Sequence, residues 1–327
     1  MFDDLFSINN IFEAWKKFKL GKSRKKDVIY FEYNLEDNIF SLHDDIIKYR
    51  YKHGEYKHFQ IYDNKKRDIY KAQVRDRIVH QIIYDYLIDL YEPIFIKDSY
   101  SSRKHKGHHR AIKTLKYFIK LSDHNRNRFI LKCDIKKYFD NINHLILLEI
   151  IKEKVICPKI LVIIEDIIFS FAMYSEKDRG IPLGNITSQI FANIYLHNLD
   201  LYIKKELGYR FYIRYNDDFI IISNNLKKIK ESKVKIINFV ETKLHLNIPD
   251  DKTSIRKFTW GIDFLGYIVL PNAVLLRDKT KNKMFSKLNQ NNIDSYFGML
   301  KHCNSHNLKQ KVLARALVIN VKITSHI

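Results

Sequence analysis

The segment that decides the fold is residues 210–223, RFYIRYNDDFIIIS, in which two apolar and aromatic runs flank the triplet Asn216-Asp217-Asp218. Aromatic and β-branched runs on either side of a short Asn-Asp stretch predict two β-strands joined by a tight hairpin turn. Acidic residues in a turn are usually turn formers, because their side chains bond to nearby backbone groups. A chemical role for these carboxylates therefore requires a further acidic residue in the same place.

Such a residue is Asp134, which stands near the end of the apolar run RFILKCDI at residues 128–135. Side chains alternate between the two faces of a strand, so this run predicts a strand with two different faces. One face carries Phe129, Leu131 and Cys133, and the other carries Ile130, Lys132 and Asp134. Two or three carboxylates at rigid strand ends are what phosphoryl transfer assisted by two magnesium ions requires.

The composition indicates a protein with a sizeable core and a polyanionic partner. Apolar residues make up 46% of the 327 residues, and the three cysteines stand singly, without a CxxC pair. The formal net charge of +21 is costly in self-repulsion unless a polyanion binds, which favours nucleic acid. No apolar run of about 18 residues occurs, and the first residues, MFDDLFSINN, are acidic where a signal peptide is basic. We therefore expect a cytoplasmic protein without a membrane partner.

Hydrophobic spacing outlines several other elements. Apolar residues at helical steps in the segment 74–95 predict a helix that stops near Pro93. Residues 59–70, FQIYDNKKRDIY, predict a hairpin around the polar turn Asp63–Lys66. A strand pair is predicted from the runs KFTW (257–260) and IDFLGYIVL (262–270).

Four segments, taken together and in order, resemble the palm motifs of reverse transcriptases. They are KCDIKKYFDNI (132–142), GIPLGNITSQ (180–189), the YxDD-like box YNDD (215–218) and the primer-grip-like FLGY (264–267). Three flanking segments resemble the family's fingers and thumb. They are RDRIVHQII (75–83), SYSSRKHKGHHRAI (99–112) and SYFGMLKHCNSHNLKQ (295–310). The resemblance thus covers roughly residues 30–315.

This resemblance implies an α+β, right-hand polymerase fold and RNA-directed DNA polymerase activity. Fingers would cover about residues 1–130, a palm with a small antiparallel sheet about 131–270, and a short helical thumb about 271–327. The implied partners are template RNA, the RNA–DNA hybrid and deoxynucleoside triphosphates. The implied cofactors are two Mg²⁺ ions, or Mn²⁺, which accepts the same oxygen ligands.

The family's catalytic roles transfer to matching residues. Asp134 would bind both metals, and the Ile135 carbonyl would bind one of them. Asp217 would be the second shared ligand, and Asp218 matches the box as the less essential of the pair. Lys252, in DDKTSI (250–255), resembles a lysine suited to protonating the pyrophosphate leaving group, and a solvated lysine is the alternative.

The nucleotide-binding roles transfer in the same way. Phe139 matches the steric gate that stacks under the incoming sugar and rejects a 2′-hydroxyl, and Tyr138 takes this role if the register shifts by one. Gly184 would let the backbone approach the templating base pair. Arg67 and Lys65 match positions that grip the triphosphate. Structural alternatives stay open: a core phenylalanine, a turn glycine and solvated charges.

Contacts with the nucleic acid are implied for a basic loop and for two hairpins. Template phosphates would meet Arg103, Lys104 and Lys106. The hairpin residues implied in binding are Tyr215, Phe264, Leu265 and Gly266. A general basic surface is the alternative reading of the loop.

Two departures from the usual family pattern point to a subtype. Leu183 stands where the family usually has Gln, and Gln189 stands where it usually has Pro. The version I/V/L-G-x-x-x-S-Q of this motif resembles the one in reverse transcriptases of diversity-generating retroelements. The segment FANIYLHNLD (191–200) resembles that family as well. So do the short length and the lack of an endonuclease or maturase extension. That resemblance implies error-prone copying in mutagenic retrohoming, and a small basic accessory protein that forms a pentamer.

Two other readings remain open. The chain resembles, almost as closely, the defence-associated reverse transcriptases, which copy a structured noncoding RNA during phage infection. It could instead be a non-catalytic RNA-binding scaffold of a ribonucleoprotein. A prokaryotic or phage genome is the expected source in each case.

Overall fold

The chain divides into two units, which the computed structural model describes over residues 1–62, 66–121, 128–174 and 178–318. The first unit combines Met1–Lys97, Ile135–Leu207 and Lys235–Pro249. The second combines Asp98–Asp134, Gly208–Val234 and the residues from Asp250 onward. Helices and small antiparallel sheets occur together, as the α+β class predicts, whereas the finger, palm and thumb bounds stay a prediction.

The helices bury the faces on which apolar residues recur at three- and four-residue steps. In chain order they are α1 (Phe2–Leu5), α2 (Ile8–Lys19), α3 (Lys26–Tyr33), α4 (Leu35–Ile47), α5 (Val74–Tyr91), α6 (His108–Leu121), α7 (Tyr138–Asn141), α8 (His144–Lys152), α9 (Pro158–Phe169), α10 (Ile186–Tyr195), α11 (His197–Leu201), α12 (Leu226–Lys243), α13 (Asp278–Lys287), α14 (Ile293–Leu300) and α15 (His306–Val318). Short 3₁₀ turns cover Ala172–Tyr174, Asp250–Lys252 and Phe258–Trp260, and a π-helical turn covers Tyr202–Glu206. Within the described ranges, no helix has both the length and the apolar character needed to cross a bilayer.

In the part of the chain that the structure describes, the strands form three antiparallel sheets. In chain order they are β1 (Lys57–Tyr62), β2 (Lys66–Lys71), β3 (Phe129–Asp134), β4 (Tyr212–Tyr215), β5 (Asp218–Ser223), β6 (Thr253–Lys257), β7 (Ile262–Phe264), β8 (Tyr267–Val269) and β9 (Val274–Leu276). The strand orders are β1-β2, β4-β5-β3-β6 and β7-β8-β9. The first sheet belongs to the first unit, and the other two belong to the second.

In the first unit, α5 packs against α2 and α10 and contributes a largely apolar core segment. It ends at Tyr91, which confirms the helix predicted to stop near Pro93. The β1–β2 pair confirms the predicted hairpin, with Ile61 opposite Arg67. Lys66, predicted in the turn, already belongs to β2, and residues 63–65 lie outside the described ranges.

In the second unit, the four-stranded sheet confirms the two faces predicted for β3. Ile130 shares a buried cluster with Ile220 and Ile222 of β5 and with residues of α6. Leu131 and Cys133, on the opposite face, are fully buried as well. Both faces of the strand are covered. Its polar side chains, Lys132 and Asp134, therefore come near the end of the strand that lies next to the β4–β5 hairpin.

The strand pairing predicted from KFTW and IDFLGYIVL is wrong. Lys257 ends β6, which pairs with β3, and the next three residues form a 3₁₀ turn. The second run instead folds on itself, since β7 pairs with β8 around Leu265-Gly266, and β8 pairs with β9. The chain changes direction at Gly261, whose φ of 77° suits a residue without a side chain.

Candidate active site

Asp134, Asp217 and Asp218 meet at one end of the four-stranded sheet. Asp134 is the last residue of β3 and Asp218 the first of β5, and the two are directly opposite in the antiparallel register. Tyr215 pairs with Asp218, so Asn216 and Asp217 form a two-residue turn. Asn216 has a φ of 53°, a left-handed conformation that Asn tolerates better than most residues. The predicted hairpin is confirmed, and Tyr215 also packs against the buried cluster of the second unit.

The carboxyls of Asp134 and Asp217 are close enough to share a hydrogen bond. Burial, followed by the neighbouring Asp134 charge, raises the pKa of Asp217 to about 6. Two carboxylates in contact repel each other unless a proton or a cation lies between them. The pair is therefore an acidic site that is suited to a hard cation.

Asp218 has a different partner. Its Oδ2 lies 3.3 Å from Nζ of Lys132, while its Oδ1 is buried and has no hydrogen-bond partner within the described residues. Burial raises the pKa of Asp218 to about 7, although the Lys132 ammonium acts in the opposite direction. In the part of the chain that the structure describes, no three His, Cys, Asp or Glu side chains are arranged as a metal-binding group. Of the three aspartates, Asp134 and Asp217 are the two whose carboxyls lie within hydrogen-bonding reach of each other.

Lys252 faces the same acidic pair. It ends a 3₁₀ turn just before β6, and its Nζ lies 3.2 Å from Oδ2 of Asp134. The hydrogen bond with Asp134 and its negative charge raise the pKa of Lys252. The ammonium form is therefore favoured, which is the form that a proton donor needs. Lys252 and Asp134 line a cleft of about 390 Å³ together with Lys132 and Arg277.

The predicted primer-grip residues form the turn between β7 and β8. Phe264 is fully buried, and Leu265 and Gly266 occupy the turn with φ angles of 51° and 86°. The backbone N–H of Arg277 donates to the Gly266 carbonyl at 3.0 Å. Lys132 was not among the predicted site residues, although its place two residues before Asp134 on one strand face was a usable signal.

The basic residues predicted to meet template phosphates precede α6. Nη1 of Arg103 donates to the Ser99 carbonyl at 3.0 Å, and the Lys106 ammonium lies 5.1 Å from the centre of the Tyr100 ring. Lys104 is exposed. Two of these cations therefore also stabilise the loop that presents them.

In the first unit, Leu183 and Gly184 lie against β2. The Leu183 carbonyl accepts the Tyr70 N–H at 3.2 Å, and the Asn185 side chain donates to the Tyr70 carbonyl at 2.9 Å. Gly184 has a φ of 112°, and a Cβ there would lie 3.0 Å from Cγ2 of Ile69. Glycine is thus required both by the backbone conformation and by the close approach to β2. Asn185 was not predicted from the sequence, because its partner Tyr70 lies far away in the chain.

The adjacent aromatic residues Tyr138 and Phe139 have opposite environments. Tyr138 is 2% exposed, and its hydroxyl donates to the Ala192 carbonyl at 2.5 Å. Phe139 is partly exposed, and the two ring centres are 5.5 Å apart. Tyr138 therefore contributes to the core, while Phe139 keeps part of its surface exposed.

The other nucleotide-binding candidates are dispersed over the first unit. Arg67 lies on the exposed strand β2, and Gln189 is exposed on α10. Ile135 is buried directly after Asp134 in the chain. Lys65 lies outside the described residues.

Comparison with known proteins identifies the family. Residues 52–269 match the model of the family described as reverse transcriptase (RNA-dependent DNA polymerase). This stretch contains the paired aspartates, the YNDD turn and Lys252. The chain belongs to the reverse transcriptase family.

This reverse transcriptase has curated relatives that include proteins encoded by group II introns. Protein YkfC of Escherichia coli (strain K12) is 23% identical over 241 residues, which are 63% of each chain. The group II intron-encoded protein LtrA of Lactococcus lactis subsp. cremoris is 29% identical over 182 residues, 50% of this chain and 29% of LtrA. The chain thus spans less than two thirds of the length of these relatives, and the similarity establishes the family, not a subtype.

Solved structures of telomerases share the fold of this reverse transcriptase. Telomerase from Candida albicans, in complex with a fragment of telomeric RNA, gives a TM-score of 0.56 at 15% identity. The match covers 82% of this chain and 55% of the telomerase chain. Apo telomerase from Candida tropicalis gives a TM-score of 0.50 at 15% identity, over 73% of this chain and 51% of the other. At this identity, the similarity concerns the fold alone.

Proposed function

We propose that this reverse transcriptase is an RNA-directed DNA polymerase that copies a dedicated RNA template into cDNA. The observation that carries this function is that Asp134 stands directly opposite Asp218 in the sheet, with Asp217 in the adjoining turn and its carboxyl within hydrogen-bonding reach of Asp134, inside the stretch that matches the family. Nucleotide addition is an in-line phosphoryl transfer, in which metal ions held by carboxylates stabilise the developing charge. Two partly buried carboxylates so close together are otherwise costly to a fold, so their presence favours a chemical role.

Divalent cations fit the acidic pair. Asp134 and Asp217 would hold them, with Asp218 and the Ile135 carbonyl as further ligands, and these hard oxygen donors suit Mg²⁺ or Mn²⁺. The raised pKa of Asp217 and the unpartnered Oδ1 of Asp218 are both unfavourable features that a nearby cation would relieve. Two such ions, when bound, activate the primer hydroxyl and stabilise the charge of the triphosphate and leaving group.

The chain's own residues then divide the remaining tasks. Lys252, kept protonated by Asp134, would donate a proton to the departing pyrophosphate. Phe139 would stack under the deoxyribose, and Arg67 would bind the triphosphate. The basic loop before α6 would bind template phosphates, where Lys104 is exposed.

The proposed subtype is the error-prone enzyme of a diversity-generating retroelement. Leu183 replaces the usual Gln, and its side chain is partly exposed while its carbonyl is held by Tyr70. A branched apolar side chain makes fewer polar contacts with an incoming nucleotide, which weakens discrimination between bases. The partners would be a template-repeat RNA and a small basic, pentameric accessory protein, in the cytoplasm of a prokaryotic host.

The test is primer extension on a primed RNA template by the purified chain, with each deoxynucleotide supplied in turn and with the products sequenced. Asp217→Asn should lower the extension rate by roughly 1000-fold or more, since a shared metal ligand is lost. Asp89→Asn, the same chemical change on an exposed part of α5, should leave the rate unchanged. Equal extension by Asp217→Asn and the wild type would contradict polymerase chemistry at this site.

The product sequences separate the subtypes. Errors concentrated opposite adenine support the diversity-generating role, whereas faithful copies point to a defence or other retroelement role. If the wild type binds the RNA but extends no primer, even when host RNA is added, the result favours the role of a non-catalytic scaffold. In that case the Asp217→Asn variant would keep its biological effect.

A further inference from the structure

Lys132 connects two parts of the second unit that the family motifs treat separately. It lies on β3 two residues before Asp134, on the same face of the strand. Its Nζ lies 3.3 Å from Oδ2 of Asp218, at the YNDD hairpin, and donates to the backbone carbonyl of Asp263 at 2.6 Å. A single ammonium group therefore joins the strand that carries Asp134 to two hairpins.

The contact with Asp218 is in a sheltered position. The Lys132 side chain is 27% exposed and the Asp218 side chain 22% exposed, so neither group is fully hydrated. The other oxygen of Asp218 is buried and has no hydrogen-bond partner among the described residues. The position of a partly buried carboxylate with one unpartnered oxygen depends strongly on the cation that faces it. Removal of the ammonium should therefore let the Asp218 carboxylate move.

The contact with Asp263 anchors the turn between β7 and β8. Asp263 is the central residue of β7, one residue before Phe264 and the turn. Its carboxylate accepts from Nη1 of Arg277 at 2.9 Å, and the Arg277 backbone N–H donates to the Gly266 carbonyl at 3.0 Å. The turn is thus held on one side by the start of α13 and on the other by Lys132.

We infer that Lys132 is a positioning residue that keeps the YNDD turn and the β7–β8 turn in fixed alignment with Asp134. The reason is geometric: one cation bonds to a side chain of the first hairpin and to the backbone of the second, while its own strand carries the catalytic aspartate. Its importance for nucleotide addition rests on the proposed function. The mechanical link between the hairpins is a property of the fold and can be measured without any activity.

The link is tested by hydrogen exchange on the full chain, read by mass spectrometry from peptides that cover residues 212–222 and 258–270. Lys132→Met keeps the length of the side chain but removes the charge and the donors. Backbone amides in both peptides should then exchange at least about tenfold faster, because local opening becomes easier. Lys257→Met, the same change at the exposed end of β6, should leave both peptides as in the wild type.

The consequence for the reaction is tested by steady-state primer extension. Lys132→Met should lower kcat by roughly 10- to 100-fold, the range expected for a small misplacement of reacting groups. The KM for deoxynucleotides should stay within about threefold, because Lys132 acts through the aspartate and the turn, not on substrate. Extension of a matched primer end should fall more than extension of a mismatched end. Lys132→Arg should restore part of the rate, since a guanidinium can bond to both a carboxylate and a carbonyl.

The outcomes distinguish this inference from the proposed function. Unchanged exchange in both peptides of Lys132→Met overturns the inference, whatever the activity. The inference is also overturned if the rate falls only in proportion to the amount of folded protein, and the ratio of the extension rates from matched and mismatched primer ends does not change. If Lys132→Met does not fold, the same comparison is made with Lys132→Gln, which keeps a neutral donor. A wild type that extends no primer counts against the polymerase function, while hydrogen exchange still decides whether the link exists.

Discussion

At the scale of single residues, the contrast between Tyr138 and Phe139 makes the steric-gate prediction testable. Phe139 is partly exposed, whereas Tyr138 is buried and bonded to the Ala192 carbonyl. Phe139→Ala removes the ring that would exclude a 2′-hydroxyl, so the preference for deoxyribonucleotides over ribonucleotides should fall by roughly 10- to 100-fold. The measurement is the ratio of kcat/KM for the two nucleotides on one primed template.

Tyr138→Phe is the matched control at the neighbouring ring. It removes one buried hydrogen bond, so the free energy of unfolding should fall by about 1 kcal/mol. The sugar preference should not change, because the Tyr138 hydroxyl points to the core. A large change in sugar preference for Tyr138→Phe, with none for Phe139→Ala, would show that the register is shifted by one residue.

The sequence predicted the acidic residues of the site better than their partners. Alternation along β3 placed Asp134 and Lys132 on one face, and the YNDD turn placed Asp217 at a hairpin tip. The partners of these residues depend on contacts between distant segments. Lys132 bonds to Asp263, 131 positions further along the chain, and no local pattern encodes such a pairing. The same limit applies to Asn185 and its bond to Tyr70, 115 positions away.

At the scale of an element, the β7–β8 turn carries backbone strain at a single residue. Leu265 and Gly266 both have positive φ, the pattern of a two-residue turn that favours Asn-Gly. A leucine in the left-handed region costs about 1 kcal/mol. Leu265→Asn should therefore raise the free energy of unfolding by about 0.5–1 kcal/mol, measured by chemical denaturation.

Gly266→Ala provides the opposite change in the same turn. Gly266 has a φ of 86°, and a Cβ there would lie 3.4 Å from Oγ1 of Thr280, so this variant should be destabilised by about 1 kcal/mol. If Leu265→Asn is more stable but extends primers more slowly, the strained leucine serves the nucleic-acid contact. If Leu265→Asn is no more stable than the wild type, the relief of the left-handed conformation does not exceed the loss of the Leu265 contact with the buried cluster of the second unit.

Elements with strong local signals were predicted correctly. The wrong strand pairing was predicted in a segment where local signals compete. The hairpin 59–70, the helix before Pro93 and the β4–β5 hairpin each combine a periodic run with a clear boundary. The run IDFLGYIVL contains its own turn glycine within the hairpin motif FLGY, which the β7–β8 turn bears out, whereas the predicted pairing with KFTW does not occur. The outcome was decided by Gly261 and Gly266, whose positive φ angles redirect the chain.

At the scale of the whole molecule, the net charge of +21 should dominate the strength of RNA binding. Each phosphate contact releases counterions, so log Kd rises linearly with log salt, with a slope of about 0.7 to 0.9 for each phosphate. General attraction by the net charge and contact at a particular loop both contribute to affinity. They can be separated with variants of equal charge.

Lys104→Ala/Lys106→Ala removes two cations from the loop predicted to meet the template, and Lys152→Ala/Lys154→Ala removes two from the end of α8 and the residues after it. Both variants have the same net charge, so a purely general attraction would weaken equally in the two. If the loop touches phosphates, the slope of log Kd for RNA against log salt should be lower by about 1.5 in the first variant only. The measurement is fluorescence anisotropy between about 50 and 200 mM salt. Equal slopes in the two variants would remove Lys104 and Lys106 from the interface. The charge of the chain would then act on the template without a defined contact at this loop.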